Sequence, residues 1–258
     1  MKIISDTLQP MNPRIQAAIQ GEEPGPIREI VQSVTAKGIQ GIDINCGPLS
    51  KEPERKMQFL VDTVQHETRL PLFLDTPNAK AIEAGLRVCR NPVTINGLSL
   101  EPAKLESILP LALAYDADIV GFLLTEAGQV PRSLDERLGI AARLFHECSR
   151  AGIPAQRLMI DPIVVPLLWA DGLEMNRDLL AILKLLPEVL GHPVRTIAGL
   201  SNLTAGIRDM QRKIILECAF LPMMAHAGLN QVLMNVDRAD TLAVAGACRC
   251  LLCETVFG

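Results

Sequence analysis

Eight short apolar runs, each followed by a stretch with helical spacing, limit this chain more than any other feature. The runs are KIISD, IQGIDIN, LPLFLDT, PVTINGL, ADIVGFLL, RLMIDPIV, VRTIAGLSN and NQVLMNV. Most are close to continuously apolar, where a strand with one wet face would alternate. Strands of a parallel sheet covered on both faces read this way. Between them, Ile27, Ile30, Val31 and Val34 recur at i, i+3, i+4 and i+7, as do Met57, Leu60, Val61 and Val64. Ile82, Leu86 and Cys89 form a stripe after Asn78, a candidate N-cap. Ser133 and Glu136 have capping-box spacing ahead of a face made of Leu134, Leu138, Ala141 and Phe145. Leu179, Ile182, Leu183 and Leu186 make a further stripe.

Eight strand–helix units predict an α/β fold, a (β/α)8 barrel forming one domain over residues 1–258. The length suits such a barrel, and no linker or low-complexity tract divides the 258 residues. An open doubly wound sheet is the alternative, but no G-x-G-x-x-G turn follows the first strand. A net charge of −4 and 3% aromatic residues argue against nucleic-acid binding. No leader pattern and no run of 18 apolar residues is present, so the expectation is a soluble, cytoplasmic protein without a membrane segment.

Polar residues stand where the apolar runs end: Asp43 and Asn45, Asp75, Asn96, Asp161, Ser201 and Asn202, and Asn235. In a barrel these ends share one face, the face that carries active sites. Singly, each residue reads as a helix cap or a turn former. Recurrence at six strand ends favours a shared binding site. No lysine ends a strand, which disfavours Schiff-base chemistry. The four histidines, His66, His146, His192 and His226, lack metal-ligand spacing and read as packed or surface residues. The seven cysteines read as reduced thiols. Cys248, Cys250 and Cys253 cluster in an apolar helical segment without an evident fourth ligand, so no metal is assigned to them. Cys46 reads as a small packing residue. What remains is a rim of acceptors and carboxamides, suited to a flat neutral heterocycle such as an aminopyrimidinone.

LFLDTPNAKAIEAGL, TINGLS, LMIDPIVVP and TIAGLSN, with GIDINCGP upstream, resemble in order and spacing the pterin-binding methyltransferases. That family includes the corrinoid/iron–sulfur protein methyltransferase. The resemblance implies methyl transfer between N5 of tetrahydrofolate and the cobalt of cobalamin on a separate corrinoid protein. It places Asp75, Asn96 and Asp161 on the pterin edge and Asn202 in the hydrogen-bond network at N5. On that basis Asn202, Asp75 and Asp161 are the candidate catalytic residues, and Asp43, Asn45 and Ser201 further substrate-binding candidates. No cobalamin-binding Asp-x-His-x-x-Gly segment occurs, so the corrinoid arrives on a partner. Two stretches depart from the family. SDTLQP replaces its Gly-Glu-Arg-Ile-Asn-Gly-like start, which leaves any role for Asp6 or Gln9 open. LTAGIRDMQRK after Asn202 lacks a nearby Gln, with Ala205 in its place, and lacks an Asn-Arg pair. Dihydropteroate synthase, which shares the barrel, is the alternative activity. Its Asn-x-Thr-Pro-Asp-Ser-Phe-like start and Ser-Arg-Lys-like phosphate segment are missing. A non-catalytic pterin-binding subunit is the other alternative. The resemblance also implies a homodimer, for which Ala243, Ala245, Gly246 and Ala247 offer close packing; packing onto the chain's own barrel is the competing use.

Overall fold

The computed structural model describes residues 1–47 and 52–252. Eight parallel strands close into a barrel in sequence order: β1 (Lys2–Leu8), β2 (Gly41–Asn45), β3 (Leu72–Asp75), β4 (Val93–Leu98), β5 (Asp118–Phe122), β6 (Leu158–Asp161), β7 (Arg195–Gly199) and β8 (Gln231–Met234). All eight anticipated runs are strands. Around them lie α1 (Pro13–Gly21), α2 (Pro24–Thr35), α3 (Pro53–Glu67), α4 (Ala79–Val88), α5 (Pro102–Ala114), α6 (Leu134–Arg150), α7 (Gly172–Leu190), α8 (Met210–His226) and α9 (Ala239–Leu251). The (β/α)8 barrel is therefore correct, with α1 as an extra helix before α2. Among the described residues no helix is long and apolar enough to cross a membrane.

The near-continuous apolar runs reflect two separate cores. Successive strand side chains point to opposite faces. The outward set packs under the helices with Ile27, Val31, Met57, Leu60, Leu179 and Leu186. The inward set forms a compact plug of Ile4, Phe73, Val120, Met159 and Ile197, with Phe122 and Leu233 against it. Two residues beyond this plug, the same inward columns reach the upper mouth. Ile4 leads to Asp6, Phe73 to Asp75, Met159 to Asp161, and Ile197 to Gly199. An apolar run can thus end on a carboxylate because the next inward position lies above the plug.

The anticipated helix starts hold. Asn78 accepts from the N–H groups of Lys80 and Ala81, and Ser133 accepts from that of Glu136. At Gly85 a Cβ would lie 2.8 Å from Met57 Cγ and 3.1 Å from Leu74 Cδ1, so the absent side chain lets α4 settle on α3 and β3. The expected face of α6 packs on the core, with Ala141 buried and Leu134, Leu138 and Phe145 against it, but its centre lies elsewhere. Its buried residues are Arg137, Ile140, Ala141, Leu144 and Cys148, while Leu134, Leu138 and Phe145 lie at the margin. The reason is Arg137, which is fully buried and donates to the carbonyls of Pro131 and Met175 at 2.9 and 3.0 Å. A charged residue disguised the face it anchors. On α9, Ala245 packs into the chain's own core while Ala243 and Ala247 face outward. Cys248 is buried, Cys250 is exposed, and Cys253 lies outside the described residues.

Candidate active site

The upper mouth opens into a cavity of about 610 Å3. Asp43, Asn45, Asp75, Asn96, Asp161, Ser201 and Asn202 all line it. Seven side chains spread over 160 residues of sequence thus meet at one place. Asn235 is not among the lining residues; it accepts from the backbone N–H of Asp237 at 2.9 Å and closes a turn. Asp6, Gln9, Ala205, Lys213, Arg238 and Ile163 also form walls of the cavity.

Strand register assembles the floor. Asn45 sits beside Asp75 and Asp75 beside Asn96 on adjacent strands. Asn45 donates from Nδ2 to Asp75 Oδ2 at 2.7 Å and accepts the Gly47 N–H at 2.9 Å. Asn96 donates from Nδ2 to Asp43 Oδ1 at 3.1 Å. Ser201 donates to Asp6 Oδ2 at 2.7 Å. Asp161 Oδ1 accepts the Ile163 N–H at 2.7 Å. The seven residues therefore divide. Asn45 and Ser201 hold other side chains in place. Asp75 and Asp161 each have one oxygen committed and, among the described residues, no hydrogen bond to the other. Asn202 is exposed at the mouth.

Ile163 has φ 61°, in the left-handed region that a β-branched residue rarely enters. This strained turn aims its N–H at Asp161 and fixes which carboxylate oxygen remains for the cavity. Sequence reading could not anticipate it, since nothing in IDPIVV marks an isoleucine for positive φ.

Burial sets the charge state. Asp43, 1% exposed, is held well above the usual carboxylate range by desolvation, then by the neighbouring charge of Asp75; the Asn96 bond opposes this. Burial raises Asp75 to about 6, against the Asn45 hydrogen bond and the positive charge of Lys104. Asp161 rises to about 7, again through burial, with the Ile163 N–H opposing. Asp6 is raised by burial as well. Cys46 is buried beside this group and its thiol is pushed up to about 12 by burial and by Asp75, so it carries no thiolate near neutrality. The mouth thus offers carboxylates whose charged form burial disfavours and which gain from a ligand that brings its own N–H donors.

A model of the family described as "pterin binding enzyme" matches residues 15–235. The chain belongs to that family. Among curated relatives it is 23% identical over 256 residues to the methylcorrinoid:tetrahydrofolate methyltransferase of Eubacterium limosum, covering 98% of this chain and 91% of that one. It is also 23% identical over 218 residues to the methionine synthase of Mycobacterium tuberculosis, covering 81% of this chain but only 18% of that longer protein. Among solved structures, the dihydropteroate synthase of Stenotrophomonas maltophilia superposes with a TM-score of 0.71 at 17% identity, over 100% of this chain and 94% of the other. The Xanthomonas albilineans dihydropteroate synthase in complex with 7,8-dihydropteroate gives 0.69 at 19% identity, over 97% and 93%. These structural likenesses establish the shared barrel, and the family match makes the chain an enzyme of the pterin-binding type.

Proposed function

We propose that this enzyme transfers a methyl group between N5 of tetrahydrofolate and the cobalt of a corrinoid held by a separate protein. The observation that carries the reading is the convergence of Asp75, Asn96, Asp161 and Asn202 on one cavity. The relative named methylcorrinoid:tetrahydrofolate methyltransferase, similar along nearly the whole chain, supports it.

In this reading the pterin lies flat over the apolar plug. The uncommitted oxygens of Asp75 and Asp161 accept its ring and amino N–H groups, and the Asn96 carboxamide meets its mixed edge. Asp43 and Asn45 keep Asn96 and Asp75 oriented, so the contacts are formed before the ligand arrives. Asn202, on the turn after β7, reaches N5. When methyl leaves N5, the nitrogen retains the bonding pair and needs hydrogen-bond donation. An amide that donates more strongly as that charge develops lowers the barrier rather than merely tightening binding. The corrinoid accepts or supplies the methyl group and arrives from the solvent side, where Asn202 is exposed. The same groups serve both directions of transfer. A homodimer belongs to this proposal, with Ala243 and Ala247 on the outward face of α9.

The test is calorimetric titration with tetrahydrofolate, followed by methylcobalamin and detection of 5-methyltetrahydrofolate. The reverse reaction uses 5-methyltetrahydrofolate and reduced cobalamin. Binding with turnover is expected. Binding without turnover in either direction would make the chain a non-catalytic pterin subunit. Condensation of a pterin pyrophosphate with para-aminobenzoate would make it a dihydropteroate synthase.

A further inference from the structure

Asp6 lies two residues beyond Ile4 on β1 and lines the same cavity as Asn202. Its Oδ2 accepts the Ser201 hydroxyl at 2.7 Å, whereas its Oδ1 is buried and, among the described residues, without a hydrogen-bond partner. A buried carboxylate oxygen left unmatched costs about 1–3 kcal/mol, and the Asp6 carboxylate belongs to the cavity wall, so it retains acceptor capacity that the protein does not use. The nearby cation does not take it up. Arg238 donates from Nη1 to Glu217 Oε2, and Glu217 Oε1 accepts the Thr204 hydroxyl. Arg238 therefore lends Asp6 charge without capping Oδ1. Ser201, which holds the other oxygen, is the chain neighbour of Asn202. Asp6, Ser201 and Asn202 therefore share one wall of the cavity.

We infer that Asp6 is a further catalytic residue, its carboxylate taking the proton that leaves N5 of tetrahydrofolate as that nitrogen receives the methyl group. This rests on the methyl-transfer reading above. The step balances. The N5 lone pair forms the N–CH3 bond, and the cobalt–carbon bond breaks with its electron pair remaining on cobalt. The N5–H bond then breaks, its pair returns to nitrogen, and the proton passes to Asp6. In the opposite direction protonated Asp6 returns the proton to N5. The charged groups facing Asp6 are Arg238 at the start of α9, Glu217 on α8 and Asp43 on β2, with Lys213 of α8 on the same cavity wall. Burial raises Asp6 above the ordinary carboxylate range, which makes it a stronger base than a free aspartate.

The test compares wild type, Asp6→Asn and Ser201→Ala with tetrahydrofolate and methylcobalamin as substrates. Asparagine keeps the shape of Asp6 but takes no proton. For D6N a fall in kcat of about 100-fold is expected, with Kd for tetrahydrofolate changed less than about threefold and the acid limb of the pH profile lost. Ser201→Ala retains Asp6 and removes a hydrogen bond that lowers its pKa, so its acid limb should move to higher pH. D6N with wild-type kcat and pH profile overturns the inference, as does a Kd that rises as much as kcat falls. If D6N fails to fold by circular dichroism, the S201A profile decides, and an unmoved limb overturns the assignment. A wild type that binds tetrahydrofolate but moves no methyl group removes the methyl-transfer reading itself. An active wild type with an unaffected D6N removes the Asp6 inference alone.

Discussion

Replacing Asp161 with Asn should move stability and ligand affinity in opposite senses. In the folded chain the carboxyl rises to about 7 through burial, against roughly 3.9 for a free aspartate. The unfolded state releases this proton first. Wild type is therefore favoured below about pH 4 and loses that stability as pH climbs towards 7. Three decades of proton affinity correspond to about 4 kcal/mol at most at pH 8. Asp161 is only half-buried and keeps part of its hydration, so about 1–2 kcal/mol is the working figure. Asparagine removes that cost, while its Oδ1 still accepts the Ile163 N–H. In a chain of this size each kcal/mol is worth roughly 2–4 °C. D161N should thus melt about 2–8 °C higher at pH 8. At pH 5 only about a third of the gain should persist, because the wild-type carboxyl is already protonated in the folded state.

Affinity should fall. The oxygen left for the ligand becomes an N–H group facing the pterin's own donors. Losing a charge-assisted bond of about 1.5–3 kcal/mol raises Kd roughly 10- to 150-fold. Thermal melts at the two pH values and calorimetry with tetrahydrofolate measure both effects. A lower melting temperature at pH 8 with unchanged Kd would refute the reasoning and reduce Asp161 to a cap for the Ile163 turn.

Asn45→Ala should raise Asp75 further above about 6 by removing a bond that stabilises its charged form. Tetrahydrofolate affinity, measured from pH 5 to 8, should then begin to fall at a higher pH than in wild type; an unshifted curve would show that Asn45 does not govern Asp75. Gly97→Ala should unsettle the β4–β5 seam, because its Cβ would sit 2.4 Å from the Val120 carbonyl oxygen and 3.0 Å from Phe122 Cζ. Neither strand can retreat inside a closed barrel, so a loss of about 3 kcal/mol is expected in a urea melt, and a melt within error of wild type would contradict the close approach.

The barrel was legible because two cores demand two apolar faces from every strand, and few folds ask for that eight times. The mouth was legible because the inward columns change from apolar to polar above the plug. KIISD also ends an apolar run on a carboxylate, as LPLFLDT does, but SDTLQP departs from the family pattern, so the resemblance gives Asp6 no role. The remaining wall was not legible. Lys213 lies well after β7 and Arg238 after β8, and only folding brings α8 and α9 to the cavity. The division of Asn45 and Ser201 from Asp75 and Asp161 depends on hydrogen-bond direction, which residue type alone does not fix. Arg137 misled the helix reading for a related reason: two backbone carbonyls make a buried guanidinium tolerable, and neither is visible in a periodicity.

The electrostatics of the mouth connect these parts. Asp6, Asp43, Asp75 and Asp161 surround one cavity, and each is pushed towards its neutral form by burial. Four full negative charges so close together in a partly dry site would repel one another strongly. Protons relieve that repulsion when the cavity is empty. A bound ring with several N–H groups relieves it by another route, donating hydrogen bonds that favour the ionised carboxylates. The same burial that makes the empty site costly therefore makes it selective for a ligand rich in donors. A group whose proton affinity lies near neutrality can also pass a proton in either direction with little loss of driving force. In the proposed methyl-transfer reading, recognition of the pterin and the handling of a proton at N5 need no separate machinery, because both rest on carboxylates placed just above an apolar plug.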